Sequence, residues 1–160
     1  MKQKEMSVYL KLVTIVITIL FLAFAGWFLP FVLKDLILND IGETEYRLAC
    51  IFIWITAIPC LLCLWKFWGI CVRIGMDQSF CRENANALKG MSHFILVDCV
   101  LYIILLAAAC VKGWYRYSIG FLFGIVVILF ICVFIAVASA ALSHLVYKAS
   151  QLQDDQDLTI

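Results

Sequence analysis

Charge is what this chain has least of. Asp, Glu, Lys and Arg make up 14% of its 160 residues, against about 25% in soluble domains, and a water-facing surface cannot be built from so little. The basic residues are scattered and the net charge is +1, so no basic patch exists to hold nucleic acid directly. Catalytic motifs are missing as well. There is no H-E-x-x-H, no G-x-S-x-G and no glycine-rich phosphate loop after a strand. Asp98, His93 and Ser143 have no spacing that brings them together as a hydrolytic set. The chain is therefore not expected to be an enzyme or to need a cofactor. Two histidines, His93 and His144, supply too few ligands for a metal.

What the chain has is apolar. Hydrophobic residues make up 66% and the mean hydropathy is +1.05, which indicates an integral membrane protein. The eight cysteines fall almost entirely in apolar runs, where free cysteine behaves as a small hydrophobe, so a disulfide scaffold is not expected. Cys60 and Cys63 form a C-x-x-C with no second pair and no histidine nearby in sequence, and a Cys50–Cys110 bridge would have to form near the outer face.

Four apolar segments predict an all-α protein with four transmembrane helices over residues 10–33, 48–72, 80–111 (membrane part 93–111) and 118–147, in one domain, followed by an acidic tail over 148–160. Ala23-Phe24-Ala25 resembles a signal-peptide cleavage site, but the apolar run continues through Trp27, Phe28 and Phe31 and predicts an uncleaved first helix. Pro30 lies near its outer end. Pro59 lies in the middle of the second helix, where a missing N–H and a steric clash predict a kink. Lysine and arginine counts in the short loops place both termini and the Arg73–Met91 stretch on the cytoplasmic side.

That polar stretch, RIGMDQSFCRENANALKGM, has no helix breaker between Ser79 and Gly90, and Asp77 or Ser79 can cap a helix start. A helix running from Phe80 into the membrane puts Phe80, Asn84, Ala87, Met91 and Asp98 on one face and Arg82, Asn86, Lys89 and His93 on the other. Asn84 and Asp98 then point into the bundle. A buried carboxylate at membrane depth needs a partner. Lys66 and Asp98 are equally far from Arg82, the centre of the stretch, so the two are expected at one depth as an ion pair. Gly120 and Gly124 form a G-x-x-x-G, expected to pack a neighbouring helix closely, and Ala136–Ser143 offers a second small-residue surface.

Two stretches carry a resemblance. SFCRENANALKGM, with Phe80, Glu83, Asn84 and Leu88, and the chain end LQDDQDLTI, with Asp154, Asp155, Asp157, Leu158, Thr159 and Ile160, resemble a bacterial family of small four-helix membrane proteins. It is the domain-of-unknown-function family twenty-nine seventy-five, whose members are also met as YoaS-like proteins. The acidic run here is Asp-Asp-Gln where the family more often has glutamates. The resemblance implies a bacterial cytoplasmic-membrane location and, as a partner, a small helix-turn-helix regulator of the Cro repressor type. It implies no established activity.

Three functional readings stand at this point. In the first, a non-enzymatic regulator or sensor uses the Phe80–Lys89 segment and the tail to bind such a transcription factor. In the second, a small transporter or channel component uses Lys66 and Asp98, with a homodimer supplying a second copy of each. Against the latter, no inverted repeat is visible. The third is an immunity-type membrane protein, to which no residue points.

Overall fold

The computed structural model describes residues 3–37, 42–113 and 119–157, and the side chains of 4–34, 42–113 and 120–153. All regular structure among them is helical. Helix α1 (residues 3–37) is interrupted by a π-helical turn, Phe24–Phe28. It is followed by α2 (Glu43–Ile74), α3 (Arg82–Val111) and α4 (Ile119–Asp157). Lys4–Lys34, Glu43–Ile74, Arg82–Val111 and Gly120–Gln153 are each long and apolar enough to cross a membrane.

The distribution of side chains fits lipid as the solvent. Large apolar groups face outward, with Trp27 81%, Phe130 75% and Phe123 70% exposed, while Ser7, Thr14, Thr56, Ser92, Ser139 and Ser143 are buried. Lipid tails are as apolar as leucine, so leucine gains nothing by turning inward, whereas hydroxyls gain hydrogen bonds.

The helices pack in chain order: α1 on α2, α2 on α3, α3 on α4, with no close backbone approach between α1 and α4 among the described residues. Serine-to-carbonyl bonds join successive helices. Ser7 Oγ donates to the Cys71 carbonyl at 2.6 Å, Ser92 Oγ to Ala136 at 2.9 Å and Ser143 Oγ to Ala85 at 2.7 Å. Close approach also demands small residues. A Cβ on Gly75 would fall 2.6 Å from Ser7 Oγ, and Ala85 and Ala136 are buried between α3 and α4.

The π turn has a local cause. Pro30 has no N–H to give and its ring collides with the carbonyl four residues back, that of Gly26. The chain widens there by one residue, and the Leu29 N–H reaches the Phe24 carbonyl. Pro59 is buried within α2, which remains helical through it.

At Gly124 the G-x-x-x-G has no close neighbour within the chain. A side chain at Gly124 would meet nothing within 4 Å. The face of α4 turned to α3 is set instead by Ile125, Ala136, Ser139, Ser143 and Ser150, all buried, and Gly124 stands about 100° from Ile125 around the helix. The Ala136–Ser143 surface does meet a neighbour.

Candidate functional site

The end of the molecule carrying the α2–α3 turn is built on a helix stop. Gln78 N–H bonds the Arg73 carbonyl at 3.1 Å and Asp77 N–H bonds that of Ile74 at 3.3 Å, with Asp77 left-handed at φ 62°. This is a Schellman ending, in which the left-handed residue is usually glycine. Helix α3 begins at Arg82, not Phe80, and its N-cap is Cys81, which makes no side-chain cap bond. Neither Asp77 nor Ser79 takes that role, because the Schellman bonds consume Asp77 and the chain stays in the turn until Cys81.

Asn84 ties this turn together. It is 1% exposed, its Nδ2 donates to the carbonyls of Gln78 and Ser79 at 3.0 Å each, and its Oδ1 accepts from Arg73 Nη1 at 3.3 Å. Ala87 and Asp98 are buried on the same face, and Arg82, Asn86, Lys89 and His93 are exposed, as the amphipathic division requires. Phe80 departs from it. Lying in the turn, it is 57% exposed.

Beside the turn lies a cleft of about 400 Å³. Phe80, Cys81, Arg82 and Glu83 line it from the turn and the start of α3, Asp77 and Gln78 from the turn, and Ser150 and Gln153 from the end of α4. The sequence motif around Phe80, Glu83 and Asn84 is therefore adjacent to the beginning of the tail. Leu88 is half-buried below it. Asp154, Asp155 and Asp157 belong to α4, but their side chains, like Leu158, Thr159 and Ile160 altogether, lie outside the described residues.

Lys66 and Asp98 do not meet. The α2–α3 register pairs Cys60 with Asp98, Cys63 with the Met91 carbonyl, Lys66 with Gly90 and Arg73 with Asn84, pairs whose midpoints fall at residues 77 to 79. The hairpin is centred on the Asp77–Ser79 turn rather than on Arg82, because α2 persists to Ile74. Asp98 consequently lies eight residues beyond Gly90, about 12 Å deeper than Lys66. It is 4% exposed. Its Oδ2 accepts from Cys60 Sγ at 3.5 Å, and its Oδ1 has no hydrogen-bond partner. Around it stand the thiols of Cys63, Cys99 and Cys132 and the Tyr102 hydroxyl. All eight cysteines are free, Cys50 and Cys110 included. Among the described residues, no three His, Cys, Asp or Glu side chains are placed to hold a metal ion.

Sequence reasoning missed the partners. Arg73 on Asn84, Cys60 on Asp98, and Ser150 and Gln153 in the cleft were not foreseen. One signal was present: Gly75 and Asp77 at the end of an apolar run mark a helix stop, and taking it would have corrected the register.

The family described as "Protein of unknown function (DUF2975)" matches over residues 21–160, which takes in α2, α3, α4 and both motif stretches. The chain belongs to that family. No curated protein and no solved structure matches it. As a DUF2975 member with four helices able to span a bilayer, it is a multi-pass membrane protein.

Proposed function

We propose that this DUF2975 protein is a non-enzymatic regulator of the bacterial cytoplasmic membrane, whose turn end docks a small helix-turn-helix transcription factor. The excess of lysine and arginine at that end supports a cytoplasmic position for it. One observation carries the reading: the cleft of about 400 Å³ joins Phe80, Arg82 and Glu83 to Ser150 and Gln153. The two stretches that distinguish the sequence thus contribute to one polar surface with an exposed aromatic anchor, a combination suited to protein recognition. The test is transcriptional. Deleting Gln151–Ile160 and replacing Phe80 with alanine should derepress or silence the target genes while the protein stays in the membrane. An unchanged transcript profile contradicts the proposal.

A second reading, transport, rests on Asp98. A buried carboxyl with one unsatisfied oxygen at membrane depth is the kind of group that marks ion and proton paths. It would show as ion or proton flux in proteoliposomes that Asp98→Asn abolishes. Flux unaltered by that change removes the reading.

A further inference from the structure

With Asp98 out of reach, Lys66 is left as a cation without a counter-charge. It is exposed and makes no ion pair or hydrogen bond among the described residues. Its depth is informative. Helix α2 has 32 residues, about 48 Å, and a hydrocarbon layer of about 30 Å centred on it ends at about residue 68. Lys66 thus sits at the boundary where lipid headgroups begin, and Trp65, 79% exposed, and Trp68, 39% exposed, flank it as indoles do at that level.

The groove between α2 and α3 is shaped around this lysine. Opposite it stands Gly90, where an added Cβ would lie 3.8 Å from Lys66 Cε, so the lysine stem runs against bare α3 backbone. One turn along α2, the Arg73 guanidinium folds back over Gly69, with Nη1 3.5 Å from the position a Cβ would take. Two glycines therefore hold the groove floor at backbone level where two cationic side chains lie. Lys89 and His93 are exposed on the α3 side. Glu83, at the turn-end mouth, acts electrostatically on Arg73 and Arg82 and forms no ion pair with Lys66.

We propose that this groove binds the phosphate of an anionic phospholipid from the leaflet at the turn end. Lys66 is the principal cation and Arg73 the second, and the acyl chains lie along the apolar flanks of α2 and α3. The residues differ from those of the docking cleft, so the two proposals stand or fall separately.

A phosphate can come from a lipid headgroup or from solution, and the experiment distinguishes them. Native mass spectrometry of the full chain, released from nanodiscs holding equal phosphatidylglycerol and phosphatidylcholine, should show phosphatidylglycerol retained in preference. Lys66→Gln should lower that retention about fivefold, as expected for one cation near the membrane surface. Lys66→Arg should preserve it, and Lys148→Gln, a cation at the same end but outside the groove, should leave it unchanged. Equal retention of the two lipids, or full retention by Lys66→Gln, overturns the proposal. Displacement of the retained lipid by inorganic phosphate in neutral detergent assigns the groove to a free anion and overturns the lipid assignment. Should Lys66→Gln fail to fold, Gly90→Leu fills the groove floor with every charge kept and must show the same loss.

Discussion

Asn84 holds two carbonyls of the turn with one amide and steadies Arg73 with its oxygen. Removing it strands two part-buried acceptors, so Asn84→Ala should cost about 2 kcal/mol of stability, read by thermal unfolding in bicelles. Asn84→Asp should do no better, because it places an acceptor against two acceptors. Stability of the aspartate variant equal to wild type would refute this account of the turn. The residue itself was legible in the sequence as a polar group on an apolar face. Its partners were not, since main-chain carbonyls leave no mark in a side-chain pattern. For Asp98, burial was legible and the partner was misread. A four-residue error in the centre of the hairpin moved the expected contact by eight residues on one helix, from Gly90 to Asp98.

Contacts between elements depend on residue size as well as on polarity. Gly75 admits Ser7 at a distance no Cβ tolerates. Gly75→Ala should therefore loosen α1 from α2 at a cost of about 1–3 kcal/mol, and adding Ser7→Gly should return part of it. No recovery in the double variant would show that the clash is not the cause. Along α4, Ala136→Leu should destabilise by a similar amount through overpacking, whereas Gly124→Leu, with open space around it, should stay within about 0.5 kcal/mol of wild type. The reverse order would mean that α4 packs on its glycine face. Helix number and type were legible from apolar run length alone. Which face of α4 is inward was not, because a G-x-x-x-G and a serine-alanine stripe are equally good close-packing surfaces in sequence. Hydroxyls bond only at the second face: Ser143 on α4 donates to the Ala85 carbonyl of α3, and Ser92 on α3 donates to the Ala136 carbonyl of α4.

At the level of the whole molecule, scarcity of charge was enough to specify a membrane protein. That α1 and α4 are not in close approach among the described residues was beyond composition and periodicity, since neither encodes which helices become neighbours across long sequence separations. The proposed docking surface lies in the same position: each half was visible as a motif, and the cleft that joins them exists only once α4 runs back to the turn. The central claim is that this surface receives a small DNA-binding protein. Site-specific photo-cross-linking in native membranes, from a photoreactive residue at position 80 and separately at 153, followed by mass spectrometry, addresses it directly. The account predicts one helix-turn-helix protein captured from both positions and not from position 124. Cross-links from 80 and 153 to lipid alone, or to different proteins, would contradict it.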